Sequence, residues 1–263
     1  MQVRINADDF GLSPGVNSAV LQMFLQQKLH SASLICGCQH FASAVKIAQE
    51  NPNLKIGLHF NLTTGFASAK HQPKSILVDK NNRFKNGFLK LLLLSILQKK
   101  QLQQEILLEL QAQINLCKQH HIKLNHIDGH RHIQCIPAVF SLVQQQVLKH
   151  KINHLRIINE SIFHTAKLSY PKSFLLDSGF IKWLILRFLN LFNDTKKFGQ
   201  VYFFSILYTG KISAQLINKF LTTSKFQNIE IMIHPANPSI DHNLALEEKR
   251  HLLNNNRYLE NLN

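Results

Sequence analysis

The chain has 263 residues, 45% of them hydrophobic, enough for one sizeable core. Ten Gly and seven Pro leave no room for a long flexible linker, and there is no repeat or low-complexity tract. One domain over 1–263 is therefore expected, with an irregular insertion and an apolar helix at about 160–198. Lys and Arg outnumber Asp and Glu by two to one, for a net charge of +15. That balance suits an anionic membrane surface or an anionic glycan, and equally plain solubility. No DNA- or RNA-binding signature accompanies the charge, so nucleic acid is not expected as a partner.

Gln2–Ala7 alternates apolar and polar residues and predicts a strand; Ser13 and Pro14 set an N-cap and a first-turn Pro at the head of a helix running to about Lys28. Ser31–Cys36 predicts a second strand, Phe41–Asn51 a helix, and Leu54–Leu62 a third strand. Residues 63–87, rich in Gly, Ser, Lys and Asn, predict a loop, and 89–119 one long helix. Lys123–Asp128 predicts a strand, Val139–Lys149 a helix and His154–Ile158 a fifth strand. After the insertion come an apolar helix over Phe180–Phe192, a strand over Gln200–Leu207, a helix over Ser213–Thr222, a strand over Ile229–Ile233 and a closing helix over Leu244–Asn256. The longest apolar run is far short of a membrane span, and no cleaved signal is expected.

Alternating strands and helices imply a parallel sheet with helical crossovers. Seven such units without a dinucleotide-type Gly-rich turn favour a closed or nearly closed barrel of α/β class, with its site at the carboxyl ends of the strands. Asp8, Asp9, His59, Asp128, His130, Arg156 and His234 all fall near predicted strand ends.

Asp8 and Asp9 are adjacent, so an extended strand points them to opposite faces unless the turn at Gly11 intervenes. One suits a metal and the other a proton; an Asx-type turn is the structural alternative. His59 stands alone between Leu58 and Phe60, either a ligand or a buried neutral His. His126, Asp128, His130 and His132 alternate and project to one side if the segment stays extended, which a turn at Gly129 would break. His234 ends an apolar strand before Pro235, placed for acid–base work or as a structural terminus. Arg156 within Leu155-Arg156-Ile157-Ile158 needs an acidic partner, in a structural ion pair or as a substrate clamp. Cys36, Cys38, Cys117 and Cys135 are expected as reduced thiols; one residue, not two, separates the first pair. There is no Gly-x-Ser-x-Gly elbow and no phosphate-binding P-loop, which argues against serine hydrolases and P-loop nucleotide chemistry.

Ala7-Asp8-Asp9-Phe10-Gly11-Leu12-Ser13-Pro14-Gly15-Val16-Asn17, Gly57-Leu58-His59-Phe60-Asn61-Leu62-Thr63, His126-Ile127-Asp128-Gly129-His130-Arg131-His132 and Ile233-His234-Pro235 stand in this order in the chain. In order and approximate spacing they resemble the YdjC/ChbG-HpnK family of carbohydrate deacetylases, over Asn6 to about Pro238. The resemblance implies a (β/α) barrel-like fold of about seven parallel strands, related to other polysaccharide deacetylases. It also implies metal-dependent removal of an acetyl group from an N-acetylated sugar. By position Asp9, His59 and His130 match metal ligands, Asp8 the general base and His234 the general acid; Asp128 and Arg156 match positions close to the site. Two His and one carboxylate are compatible with one Zn²⁺, Mg²⁺ or Mn²⁺. Arg131 and Gln134 depart from relatives richer in His there, which bears on substrate preference.

The expected substrate is an oligosaccharide or lipid-linked amino sugar, and the expected location is cytoplasmic. The broad apolar surface of helix 180–192 suits a buried helix, a homodimer contact or the inner face of an anionic membrane. The rivals are a metal-dependent phosphoesterase and a catalytically inactive metal- or sugar-binding barrel.

Overall fold

The computed structural model describes residues 1–168, 178–209, 212–237 and 239–241; the helix expected over Leu244–Asn256 lies outside them. In chain order the elements are β1 (Gln2–Phe10), α1 (Pro14–Leu25), β2 (Ser31–Leu34), α2 (Phe41–Glu50), β3 (Lys55–Phe60), α3 (Phe88–Leu97), α4 (Lys99–Gln119), β4 (Leu124–Gly129), α5 (Pro137–Lys149), β5 (His154–Leu155), α6 (Ile162–Ala166), α7 (Ser178–Asn190), β6 (Tyr202–Phe204), α8 (Ala214–Thr223) and β7 (Asn228–Ile233). Boundaries follow local chemistry. Ser13 caps α1 by accepting from Val16 N with Pro14 in the first turn, and Ser213 caps α8 by accepting from Leu216 N.

Every strand pair is parallel, in the order β5-β4-β3-β2-β1-β7-β6, and the sheet curls into the expected barrel-like form. No ladder joins the outer strands β5 and β6 among the described residues. One side chain spans them instead: Asn159 Oδ1 accepts from Phe203 N at 2.8 Å, and its Nδ2 donates to Val201 O at 2.9 Å.

The two faces of the strands differ in chemistry. Ile5, Ala7, Leu34, Leu58, Ile127 and Ile231 belong to the core packed with the helices. Most alternate positions are polar and buried: Asn6 and Asp8 on β1, Ser31 and Ser33 on β2, His59 on β3, His126 and Asp128 on β4, His154 on β5 and Glu230 on β7, with Phe203 on β6 and Met232 on β7 as apolar members. Register brings them together, with Asn6 opposite Ser31, His59 opposite Asp128 and His126 opposite His154. The barrel interior thus holds a hydrogen-bonded polar network, as buried polar groups require, although His126 Nδ1 has no hydrogen-bond partner among the described residues. Gly57 is the inner-face position of β3 beside His126, and a Cβ there would collide with the His126 ring.

Three expectations are corrected. The helix expected over 89–119 is two helices, because Gln98 leaves helical geometry (φ −131°, ψ 41°). The fifth strand is shorter than His154–Ile158, its ladder ending at Leu155, although Arg156 N still donates to Ile127 O at 3.1 Å. The sixth strand is shorter than Gln200–Leu207, spanning Tyr202–Phe204. Of the two readings left open for His126–His132 the turn is the one found: β4 ends at Gly129, and Arg131 and His132 adopt left-handed φ of 55° and 59°. Loop 63–87 lacks regular elements as expected but is firmly tied to α4. Glu109 accepts from Ser68 N and Ala69 N, and Glu105 from Ser75 Oγ. The four cysteines are free thiols.

Candidate metal centre and cavity

β1 runs on through Asp8 and Asp9 to Phe10, and its register against β2 shifts between Ala7 and Phe10. Asp9 takes φ 65°, a left-handed conformation that a short carboxylate side chain tolerates. As a result both acids line one cavity instead of facing opposite ways. The next turn is fixed by Leu12 N donating to Asp9 O at 2.9 Å and by Asn17 Oδ1 accepting from Gly11 N at 2.7 Å.

At the end of β3, His59 Nδ1 lies 2.6 Å from Asp128 Oδ1. Its Nε2 lies 3.2 Å from Asp9 Oδ1. His130, released by the turn after β4, brings Nδ1 to 2.8 Å from the same Asp9 oxygen and 3.3 Å from His59 Nε2. Its other nitrogen meets Thr64 Oγ1 at 3.2 Å. Two imidazole nitrogens and one carboxylate oxygen therefore converge, all buried and within 4.8 Å of one another. Each ring has a partner on its far nitrogen, the arrangement that orients a metal-ligating His.

Arg156 sits beside this cluster and is 1% exposed. Its Nη1 and Nη2 donate to the two Asp8 oxygens at 2.7 and 2.8 Å. Nη2 also meets Asp128 Oδ2 at 2.6 Å, and Nε meets Glu230 Oε1 at 2.7 Å. Of its two expected roles the ion pair is the one formed. Asn6 Nδ2 adds a bond to Asp8 Oδ1 at 2.9 Å, and Ser33 Oγ donates to Asp128 Oδ2 at 2.6 Å.

Burial and charge act against each other here. Burial raises the Asp8 pKa, opposed by the Arg156 guanidinium. Burial pulls the His59 pKa down, but the Asp128 and Asp8 carboxylates overcome it and lift it to about 10. Burial lowers that of His130, against the pull of the Asp9 carboxylate.

The cluster floors a cavity of about 550 Å³. Asp8, Asp9, His59, His130, His132 and His234 supply its polar side, and Leu12, Phe88, Leu89, Ile181, Ile185 and Leu186 its apolar walls. A mainly apolar pocket with a few convergent polar groups is the usual form of a small-molecule site. His234 leaves the end of β7, so residues from β1, β3, β7 and the β4–α5 turn all meet at the carboxyl ends of the strands.

A model of the family described as YdjC-like protein matches residues 2–260. The chain belongs to the YdjC-like family. A carbohydrate deacetylase of Brevibacillus brevis is 32% identical over 246 residues, which are 90% of this chain and 82% of that one. Carbohydrate deacetylase 1 of Listeria innocua is 32% identical over 167 residues, 64% of this chain and 65% of that one. The crystal structure of an Enterococcus faecalis protein, provisionally named for cellobiose-phosphate cleavage, shares the fold. Its TM-score is 0.66 at 22% identity, over 98% of this chain and 91% of that chain.

The donor set of this YdjC-like chain fits a divalent cation. Asp8, Asp9, Asp128 and Glu230 are four buried carboxylates in one network, and Arg4 and Arg156 are the two guanidinium groups that pair within it. A divalent cation at Asp9, His59 and His130 offsets the excess negative charge. The neighbouring set Asp8, His59 and Asp128 fits less well, because Arg156 already occupies oxygens of both acids.

Sequence reasoning misses Glu230, Asn6, Ser33, Thr64 and Lys182. A lone carboxylate inside Ile229-Glu230-Ile231 is a signal for Glu230, since a strand buried on both faces has no other use for a charge. Lys182 is the one cation in the stretch Phe180–Leu186, and it lines the cavity; burial lowers its pKa. Thr64 carries no such signal, because only the folded loop brings it to His130.

Proposed function

We propose that this chain is a metal-dependent hydrolase that removes the acetyl group from an N-acetylated amino sugar. The observation that carries the reading is the convergence of Asp9, His59 and His130 beside Asp8 and His234 in one cavity, in a chain whose relatives are named carbohydrate deacetylases.

Asp9, His59 and His130 would hold one Zn²⁺, Mg²⁺ or Mn²⁺. When bound, such an ion supplies Lewis acidity and a water that loses its proton near neutral pH. Asp8 accepts that proton; Arg156 and Asn6 fix both carboxylate oxygens, and burial raises their affinity for it. A water held beside Asp8 would add through its oxygen to the acetamide carbonyl as Asp8 takes its proton. His234 donates a proton to the departing nitrogen, which leaves poorly as an anion, so acetate and a free amine result. Asp128 positions His59, and Thr64 positions His130. The apolar walls exclude bulk water and seat the sugar ring.

Acetate release tests the reading directly. Metal-stripped protein is assayed against N-acetylated sugars, chito-oligosaccharides and an acetylated aminoglycolipid, with Zn²⁺, Mg²⁺ or Mn²⁺ restored. Metal-dependent acetate from any of them is the expected result. Phosphate from a generic phosphomonoester, with no acetate from the panel, would move the assignment to a phosphoesterase.

A further inference from the structure

Helices α3 and α7 flank the mouth of the cavity. Leu89 and Ile181 line the cavity and are still 70% and 62% exposed. From each of them an apolar stripe continues along the solvent side of its helix: Leu89, Leu93 and Ile96 on α3, and Ile181, Leu184 and Phe188 on α7, all exposed. The steps of three and four keep each stripe on one face. The helices are already seated by other side chains, Leu91 and Leu94 on α3, Leu186 and Leu189 on α7. The stripes are therefore surplus to the core. An apolar patch of this kind on a folded surface marks an interaction site.

The segments that carry the stripes are rich in basic residues. Between Asp79 and Glu105 the chain carries Lys80, Arg83, Lys85, Lys90, Lys99 and Lys100 and no acid. Residues 178–200 carry Lys182, Arg187, Lys196 and Lys197 against Asp194 alone. A second copy on this face would set cationic segments against each other. An anionic lipid surface takes up the apolar stripes and neutralises the basic residues together, the pattern of helices that lie in a bilayer interface. We infer that this face docks on an anionic bilayer, with the cavity mouth turned toward the lipid. The docking rests on surface chemistry alone and stands apart from the hydrolase reading.

Flotation of the full chain with phosphatidylglycerol/phosphatidylcholine vesicles tests it, with phosphatidylcholine vesicles as reference. The expected result is partition onto the anionic vesicles that weakens as salt rises. Leu184→Glu/Phe188→Glu should lower partition tenfold or more, and Leu25→Glu, an exposed residue of α1, should leave it unchanged. Lys99→Glu/Lys100→Glu keeps both stripes and should also weaken it, which covers a misfolded apolar variant. Trp183, the single tryptophan of the chain, lies on α7 and should be quenched by acyl-brominated lipid in the bound state. No partition at low salt overturns the proposal. So does partition that both double variants retain, since binding then uses another face. A dimer that Leu184→Glu/Phe188→Glu dissociates, in a chain that ignores vesicles, assigns the face to a second copy instead.

Discussion

Arg156 touches three carboxylates, Asp8, Asp128 and Glu230, and through Asp128 reaches His59. Its need for an acidic partner is legible in the sequence, because a charge in an apolar strand cannot stay unpaired. The identity of the partners is not, because they come from three other strands. Asp9, His59 and His130 are legible as ligand types; that they meet at one point depends on the left-handed turn at Asp9 and on the chain leaving β4 after Gly129. A strictly extended reading sends Asp8 and Asp9 to opposite faces. A buried acid outside the centre, Glu160, gives a test at this scale. Burial pushes its carboxyl from 4.5 up to about 7, against donation from Leu207 N, Thr165 Oγ1 and Ile206 N. The folded state therefore holds its proton more tightly than the unfolded chain. The contribution is complete below pH 4.5 and is lost as pH rises through about 7. Relative to Glu160→Gln, the wild type should lose on the order of 3 kcal/mol between those limits in urea titrations. A difference that does not change with pH would show that Glu160 binds its proton equally well in the folded and unfolded chain, and would contradict this.

Among the elements, the alternation of strand and helix is legible from apolar runs and turn residues, and the parallel strand order follows it. The break at Gln98 is not: residues 89–119 carry no Pro or Gly, and the helix divides where α3 turns to the cavity mouth and α4 holds loop 63–87. Less legible still is the polar interior. Parallel strands are expected to be apolar on both faces, whereas here most inner positions form one network from Asn6 to Glu230. The period-2 spacing of Ser31/Ser33, His126/Asp128 and His154/Arg156 is the signal that was available. Asn159 joins β5 and β6 in place of a ladder, so Asn159→Ala should leave the Phe203 amide without its acceptor. A loss of about 1–3 kcal/mol is expected from that unsatisfied group. Asn159→Asp, which keeps an acceptor, should lose less. Equal unfolding midpoints for all three proteins would mean that the barrel does not depend on this bridge.

At the scale of the whole molecule, a curled parallel sheet places Asp8, Asp9, His59, His130 and His234 at one end, under a cavity of about 550 Å³. No helix among the described residues is long and apolar enough to cross a membrane. The net charge of +15 is concentrated in part beside the cavity mouth, where it bears on what the protein meets, not on how it folds. The proposed hydrolysis divides the labour between two neighbouring acids, Asp9 to hold the metal and Asp8 to move the proton. Metal content and acetate release measured together on Asp8→Asn and Asp9→Ala test it most directly. Asp9→Ala should lose both, while Asp8→Asn should keep its metal and lose activity by a factor of about 100 or more. An Asp8→Asn protein that retains both metal and activity would contradict it.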